Sequence, residues 1–337
     1  MYIHVFGYGF TGSGALLDWM KDRPDLCVAP KIKGFMGRHG VGELLLATGE
    51  PQRQQDMARA RLAELEREIR NRPLKTRLPG YRAGRNAINA LRTALGVGRR
   101  TGVHLTSTEV EGIEGWLEDR RFIADFLARL EGGGEFDAFA FWQEWLRCRV
   151  RQYCGDARHV ALDKCLPFTE EKYDGVWERV FDPARVVVAH RDPADQCAEL
   201  GRRVGWDRFV RKGKYMAAGE AEPAANFLAT MRGHLERLLA YQRRAPEVCL
   251  SVPFEGFVQE HARWAGVITA WLGLPERTPT VGHFDPAVSR ENIGIGEDDP
   301  RTLRFLESHR DALEAVRELR RELDALTLSA TPDSPAP

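Results

Sequence analysis

A glycine-rich segment close to the N-terminus has the composition of an anion-binding loop. Residues 7–14 read GYGFTGSG and follow a short apolar run that predicts a strand. Glycine lets the backbone approach phosphate oxygens closely, and the threonine and the serine add hydroxyl donors. Apolar positions at helical spacing come next, so the loop precedes a helix whose first N–H groups and dipole favour an anion. The residues expected to hold a phosphate-type group are Gly9, Phe10, Thr11, Gly12, Ser13 and Gly14.

The same loop departs from the sequence of nucleoside triphosphatases. The spacing from Gly7 to Gly12 fits G-x-x-x-x-G, but Ser13 stands where that motif has lysine and Gly14 where it has the Ser or Thr that holds Mg²⁺. A metal-bound γ-phosphate would lack its counter-charges here, which disfavours an ordinary ATPase or GTPase. The alternative interpretation is a glycine-rich turn that only packs a helix against a strand.

An acid and a base follow another short apolar run, in HVALDKCLP. If HVAL is a strand, Asp163 and Lys164 lie at its carboxyl end, where doubly wound sheets bind their ligands. A lysine there can stabilise negative charge on a group in transfer, and the aspartate can orient the lysine or act as a base. His104 is a second candidate base. The alternatives are a surface salt bridge for Lys164 and an ordinary core or surface histidine for His104.

A second apolar run, RVVVAH, ends in an arginine. Arg191 is suited to bidentate recognition of a phosphate, while Asp192 is expected to cap a helix that Pro193 begins. Later in the chain, the turn-rich segment 284–294 brings hydroxyl, guanidinium and amide donors close together in sequence. This segment is either a wrap around a phosphate or a base, or a surface turn. Its candidate binding residues are Ser289, Arg290 and Asn292.

Alternating strands and helices are expected to position these residues. The pattern predicts strands over 2–6, 26–29, 159–162, 185–190 and 247–252, separated by helical stretches. This alternation predicts an α/β fold with a parallel sheet flanked by helices. A large helical insertion over about 50–155 is expected to cover the acceptor pocket, with most of its tryptophans in the helix core. We expect one domain over 1–327 and a disordered, Pro-rich tail over 328–337.

Composition excludes several classes of partner. Lys plus Arg and Asp plus Glu both number 49, so no basic field favours nucleic acid. The six cysteines include no C-x-x-C pair, which argues against a zinc site and predicts reduced, mostly buried thiols. No stretch approaches the ~18 consecutive apolar residues of a membrane span, and no signal-type segment opens the chain. We therefore expect a cytoplasmic protein, a monomer or a homodimer, with no metal and no membrane partner.

Taken in chain order, these segments resemble the sulfotransferase family that uses 3′-phosphoadenosine 5′-phosphosulfate (PAPS), in particular its bacterial and carbohydrate-modifying branches. Residues 7–13 look like the family's G-x-x-x-[ST]-G-[ST] loop, and residues 163–167 are similar to its [DE]-K-x-P motif with one extra residue before the proline. Residues 191–195 match R-D-P-x-D at each defined position. Residues 284–294 resemble F-x-x-x-x-S-x-x-N-I-G, and residues 254–257 resemble F-E-D-L.

The resemblance implies PAPS as co-substrate and a P-loop-like sheet. It implies that the loop holds the 5′-phosphosulfate, that Arg191 and residues 289–292 hold the 3′-phosphate, and that Lys164 contacts the sulfonate or the leaving oxygen. The acceptor would be a hydroxyl or an amine of a small molecule or a carbohydrate. The rival hypotheses are a P-loop small-molecule kinase and a degenerate, non-catalytic nucleotide-binding protein.

Three positions differ from the family pattern. Phe10 stands where the family has Lys or Arg, and Cys165 lies near the position of the histidine base of cytosolic relatives. Glu199 stands where the family has Ser, and a carboxylate there would repel a 3′-phosphate. We therefore expect Glu199 to point away, to pair with Arg202 or Arg203, or to mark an altered donor site. The cations that could replace the missing one in the loop are Lys31, Lys33 and Arg38.

Overall fold

The computed structural model describes residues 1–29, 35, 40–71, 113–163, 170–206, 222–276 and 282–329. In these ranges, strands and helices alternate along most of the chain. The strands are β1 (Tyr2–Gly7), β2 (Cys27–Ala29), β3 (Val160–Asp163), β4 (Ala184–His190) and β5 (Cys249–Pro253). The helices are α1 (Ser13–Lys21), α2 (Val41–Leu46), α3 (Pro51–Asn71), α4 (Ile113–Glu131), α5 (Ala138–Cys154), α6 (Asp174–Val180), α7 (Pro193–Val204), α8 (Pro223–Arg244), α9 (Phe254–Gln259), α10 (His261–Trp271), α11 (Pro286–Arg290), α12 (Ile295–Asp298), α13 (Pro300–Leu306) and α14 (Arg310–Ser329).

The strands form one sheet in the order β2-β3-β1-β4-β5. β2 pairs with β3 in parallel, with Cys27 opposite Val160, and β4 pairs with β5 in parallel, with Val186 opposite Cys249. Almost all of β4 and all of β5 are buried, as expected of parallel strands covered by helices on both faces. The predicted α/β class, a parallel sheet flanked by helices, is confirmed.

One compact unit consists of Met1–His4 with Leu26–Ala184. Helices α3, α4 and α5 form the described part of the predicted insertion and confirm its helical character. The exposed fractions of Trp142 and Trp145 are 0% and 1%, which confirms them as core residues. Next to them, Arg149 forms a buried ion pair with Asp119, whose carboxylate also accepts a bond of 2.8 Å from Trp145 Nε1.

The expectation that all cysteines are reduced is wrong for one pair in this unit. Cys27, in β2, and Cys154, at the end of α5, form a disulfide although they are 127 residues apart in sequence. Sequence spacing did not indicate the pair because the two residues meet only when the β2 and α5 elements pack together. Cys148, Cys197 and Cys249 are free thiols.

The second compact unit consists of Val5–Asp25 with Arg185–Pro337. Helix α14 packs against α8 and β5 around a buried hydrogen-bond network. Gln242 Nε2 donates to Thr327 Oγ1 over 2.8 Å, and Gln242 Oε1 accepts from the N–H of Ser251 over 3.0 Å. Because α14 extends to Ser329, the predicted tail begins two residues too early; the rest of that tail lies outside the described residues. No helix in the described part of the chain is long and apolar enough to cross a membrane.

Candidate functional site

The loop between β1 and α1 has a left-handed backbone. Gly9, Phe10 and Gly12 have φ angles of 69°, 54° and 88°, and α1 begins directly afterwards at Ser13. Phe10 is the one described residue other than glycine with positive φ. A side chain is strained in this conformation, which such residues adopt mainly where the surroundings enforce it, often at functional sites. The loop is therefore bent to turn its backbone around the start of a helix.

Close packing explains two of the glycines. A Cβ atom at Gly7 would lie 2.1 Å from Thr11 Oγ1, and a Cβ atom at Gly12 would lie 2.2 Å from the Phe254 ring. Neither position can carry a side chain without displacing its neighbours. The predicted phosphate loop is thus a tight turn in which side chains are excluded and backbone groups are brought close together.

The hydroxyl groups of the loop are buried. Thr11 and Ser13 are only 3% and 4% exposed, and Thr11 Oγ1 has no hydrogen-bond partner among the described residues. The N–H of Ala15 donates to the carbonyl oxygen of Gly12 over 2.9 Å, which leaves the N–H groups of Ser13 and Gly14 without an intrahelical acceptor, and Gly12, at the N-cap, has no side chain to satisfy them. Donors without acceptors at the positive end of a helix dipole are the features that bind an anion.

A small cavity borders the loop. It is lined in part by Tyr8, Thr11, Arg191 and His234, and its volume of about 10 Å³ is close to that of a single water molecule. Tyr8 Oη, Arg191 Nε and His234 Nδ1 also lack hydrogen-bond partners within the described ranges. The cavity is too small for a nucleotide, so any bound nucleotide would have to occupy another face of the loop.

Arg191 lies at the end of β4 and binds the loop directly. Its Nη1 donates to the carbonyl oxygen of Phe10 over 3.2 Å, and its Nη2 donates to the carbonyl oxygen of Asn292. The guanidinium carbon lies 5.0 Å from the centre of the Phe254 ring. Arg191 therefore links the loop to the turn-rich segment 284–294, called the late turn below. Its side chain is only 1% exposed, so these contacts are buried.

Glu199 forms an ion pair with this arginine. Its Oε2 accepts a hydrogen bond from Arg191 Nη1, and its Oε1 accepts one of 2.8 Å from Arg203 Nε. Arg203 in turn lies over the Phe10 ring, with its guanidinium carbon 5.8 Å from the ring centre. Of the arrangements that the sequence suggested for Glu199, the pair with Arg203 is present. The carboxylate points toward Arg191 and not away from it. A pair with Arg191 itself was not anticipated.

Helix α7 fixes the loop through a second polar side chain. Gln196 Nε2 donates to the carbonyl oxygens of Tyr8, over 2.6 Å, and of Gly9. Gln196 is 2% exposed, so both bonds are shielded from water. Sequence reasoning missed this residue, although Gln196, Glu199 and Arg203 are spaced three and four residues apart and so share one face of the helix.

The late turn is held to the same helix by Asp195. Its carboxylate accepts bonds of 2.8 Å from the N–H groups of both Gly294 and Gly296. Burial raises the pKa of Asp195, while these two backbone donors and Arg191 act in the opposite direction. A Cβ atom at Gly296 would lie 2.3 Å from the backbone of Ala194, so the two segments touch through their main chains.

The predicted capping of α7 is present. The side chain of Asp192 accepts from Ala194 N over 2.9 Å, and Pro193 is the first residue of the helix. Asp192 also binds Arg317 of α14 over 2.9 Å. Asp192 and Pro193 are therefore structural residues.

The three candidate residues of the late turn differ in their placement. Asn292 reaches Arg191 through its backbone carbonyl oxygen, not through its side-chain amide. Ser289 and Arg290 lie on α11; Ser289 is half-buried and Arg290 is exposed, and no described hydrogen bond or ion pair joins either side chain to the loop. Of these three residues, the structure thus brings only Asn292 into contact with Arg191 among the described hydrogen bonds, and the contact uses the backbone carbonyl oxygen, which the sequence did not indicate.

The candidate catalytic residues lie mostly outside the described ranges. Asp163 lies at the carboxyl end of β3, as predicted, although it is the last residue of the strand and not the first residue after it; it is half-buried. Lys164, His104 and Cys165 are not among the described residues. The same holds for the candidate replacement cations Lys31, Lys33 and Arg38.

Comparison with known proteins identifies part of the chain. Residues 137–279 match the family model described as the sulfotransferase family. The match includes Asp163, Arg191 and Glu199, and excludes the loop at 7–14 and the late turn at 284–294. No curated protein matches the sequence. Residues 137–279 are therefore similar to the sulfotransferase family.

Proposed function

We propose that this protein is a sulfotransferase that moves a sulfuryl group from an adenosine phosphosulfate to a hydroxyl or an amine of a small-molecule or glycan acceptor. The observation that carries the proposal is the bent loop at residues 9–14, which Arg191 binds directly from within the family-matched region. PAPS is the donor that the family resemblance implies. The proposed reaction uses no metal, since the loop lacks the magnesium hydroxyl of a triphosphatase.

The 5′ end of such a donor fits the loop. The start of α1 offers the N–H groups of Ser13 and Gly14, which have no intrahelical acceptor. Gly7 and Gly12 keep side chains out of the turn. We assign the phosphate of the phosphosulfate group to these donors.

The 3′-phosphate of PAPS does not fit Arg191 as the structure has it. Both terminal nitrogens of this arginine donate to protein oxygens, one of them on Glu199, a carboxylate that Arg191 shares with Arg203. A 3′-phosphate would have to displace these contacts and lie beside a carboxylate. No step of the reaction is therefore assigned to a 3′-phosphate contact.

The reaction itself requires a cation and a base. The donor supplies a sulfur–oxygen bond that breaks toward the 5′-phosphate while the acceptor oxygen or nitrogen bonds to sulfur. In our proposal Lys164 stabilises charge on the sulfonate or the leaving oxygen, and Asp163 orients Lys164 or takes the acceptor proton; His104 is the second candidate for that base. Holding the reacting groups in line is the remaining contribution of the protein.

A ligand panel tests the proposal. Thermal unfolding is measured with 3′-phosphoadenosine 5′-phosphate (PAP), AMP, ATP and ATP with Mg²⁺ as separate ligands. Stabilisation by PAP or AMP without metal is the expected result, and transfer of labelled sulfate to a panel of acceptors then establishes catalysis. Stabilisation only by ATP with Mg²⁺ would support a small-molecule kinase instead. Binding of PAP or AMP without any transfer would support a non-catalytic nucleotide-binding protein.

A further inference from the structure

Four buried polar atoms beside the loop have no hydrogen-bond partner within the described ranges. They belong to residues that line one small cavity: Tyr8 Oη, Thr11 Oγ1, Arg191 Nε and His234 Nδ1. A buried donor or acceptor that stays unpaired destabilises the fold, so such groups in proteins are nearly always bonded to protein or to water. Because all four surround the same cavity, one occupant can satisfy them together.

The Thr11 hydroxyl lies on the inner side of the loop. Thr11 is 3% exposed, and its Oγ1 would lie 2.1 Å from a Cβ atom at Gly7, so the hydroxyl packs over the end of β1. Tyr8 is held next to it, since its ring stacks on that of His234 with 3.9 Å between ring centres and 12° between ring planes. Both hydroxyls therefore belong to the packed interior beside the loop.

The size of the cavity and its hydrogen-bonding groups define the occupant. A volume of about 10 Å³ admits one water molecule, and a halide is larger than water. Arg191 Nε can only donate, and the positive guanidinium repels a metal cation. Burial lowers the pKa of His234 to about 4, so its ring is neutral at pH 7 and its Nδ1 accepts a hydrogen bond in one tautomer.

One water molecule matches this set of donors and acceptors. It accepts from Arg191 Nε and from one of the two hydroxyls, and it donates to His234 Nδ1 and to the other hydroxyl. Four bonds are within the usual range for an internal water. Arg191 is then bonded at Nε as well as at both terminal nitrogens, as a buried guanidinium requires.

We infer that one internal water molecule occupies this cavity and is bonded by the four polar atoms, so that Thr11 fixes the shape of the loop and does not donate to a bound phosphate. The water site stands apart from the proposed function, whereas the role of Thr11 toward a phosphate rests on it. The anion cradle then consists of backbone N–H groups at the start of α1, and the sequence-based assignment of Thr11 to the phosphate is replaced.

Magnetic relaxation dispersion of water oxygen counts the long-lived water molecules of the full-length protein, and a crystal structure locates them. The wild type is expected to hold one more such molecule than the double variant with Tyr8→Phe and Thr11→Val. This variant keeps the ring stack and the branched side chain but removes two of the four polar partners. Electron density for one water within hydrogen-bond distance of the four atoms is expected in the wild type. A dry cavity, an unchanged count in the double variant, or a bromide ion in the cavity after soaking would overturn the inference.

Thr302→Val is the matched control for loss of a buried hydroxyl. Thr302 is 0% exposed, and its hydroxyl donates to Asp299 Oδ2 over 2.8 Å. This variant should leave the count of internal waters unchanged. Unfolding curves establish that each variant is folded, and the wild-type crystal structure tests the water site without any variant.

Calorimetric titration with AMP tests the role of Thr11. The single variants Thr11→Val and Tyr8→Phe should weaken binding by a similar factor, less than about tenfold, because each removes one hydrogen bond between neutral groups. A loss of more than about tenfold in Thr11→Val with normal binding in Tyr8→Phe would show that the hydroxyl donates to the phosphate, and would overturn the role given to Thr11. If the wild type binds no nucleotide, the proposed function and the role of Thr11 toward a phosphate fall together, and the water count still decides the water site.

Discussion

Arg191 and Glu199 form a salt bridge that connects the end of β4 to the middle of α7, and the same arginine donates to the carbonyl oxygens of Phe10 and Asn292. The two residues are eight positions apart, the separation at which the family pattern has a serine. One buried guanidinium therefore holds three segments together. This arrangement makes Arg191 a positioning residue for the loop as well as a residue of the candidate site.

Arg191→Lys is expected to destabilise the fold strongly. A lysine cannot reproduce the fork that reaches Phe10, Glu199 and Asn292 together, and it leaves buried polar groups without partners. The free energy of unfolding should fall by about 3 kcal/mol, the range for a broken buried ion pair. Urea unfolding measures this change. The surface variant Arg232→Lys is the matched control, and an equal effect of both substitutions would contradict the structural role given to Arg191.

Gly12→Ala is expected to disrupt the loop. The residue has a φ of 88°, and a Cβ atom there would lie 2.2 Å from the Phe254 ring. The variant should lose nucleotide binding by at least about tenfold and lose about 1–3 kcal/mol of stability through strain and overpacking. Calorimetric titration with AMP and urea unfolding measure the two losses.

Gly133→Ala provides the control for backbone strain alone. Gly133 has a φ of 66°, and nothing lies within 4 Å of the position that a Cβ atom would take there. This variant should show only a small loss of stability and normal binding. If Gly12→Ala behaves like Gly133→Ala, the contact with Phe254 does not shape the loop.

The strands and the helix starts could be predicted from sequence because their signals are local. The run RVVVAH determines a strand with few long-range contacts. The pair Asp192 and Pro193 likewise determines the start of a helix. The Arg191–Glu199 pair depends on the direction of the Arg191 side chain at the end of β4 and on which face of α7 carries Glu199. The Cys27–Cys154 pair depends on how β2 and α5, which are distant in sequence, pack together. These relationships arise only when the chain is folded. Gln196 was predictable in part, since helical spacing places it on the face of Glu199.

The stability of the protein is expected to fall in acid because of His4. Burial lowers the pKa of His4 to about 3, and the ring packs edge-on against Phe181 with 4.5 Å between ring centres. The unfolded chain binds a proton below about pH 6.5, whereas the folded chain resists it down to about pH 3. The free energy of unfolding should therefore decrease by up to about 1.4 kcal/mol per pH unit in this window.

His4→Phe should flatten that dependence. The variant keeps an aromatic ring in the core and removes the group that titrates. Burial also lowers the pKa of His234, to about 4, so a smaller acid slope of the same sign should remain. Urea unfolding at a series of pH values from 7 to 4 measures both slopes. An unchanged slope in His4→Phe would show that the ring is accessible to protons in the folded state.

The disulfide between Cys27 and Cys154 is expected to stabilise the fold. It closes a long loop, since the two positions are 127 residues apart in sequence, and such a cross-link lowers the entropy of the unfolded chain. The double variant with Cys27→Ser and Cys154→Ser should lose about 3–5 kcal/mol under oxidising conditions. A reductant should remove most of this difference. Cys148→Ser, at a half-buried free thiol, is the control and should unfold like the wild type. Reaction of all six cysteines with a thiol reagent in denaturant without reductant would contradict the pairing.

Lys164→Ala is expected to remove catalysis and to preserve donor binding. In the proposed mechanism the ammonium group acts on charge that develops during transfer, so its loss should lower kcat more than it raises KM. A decrease of at least about a hundredfold is typical when a preorganised electrostatic group is removed. Rates of labelled sulfate transfer give kcat and KM, and calorimetric titration with AMP gives the affinity. Lys164→Arg keeps the charge but not its compact shape and should recover part of the rate. A full rate in Lys164→Ala would exclude Lys164 from the reaction and leave Asp163 to be tested by Asp163→Asn.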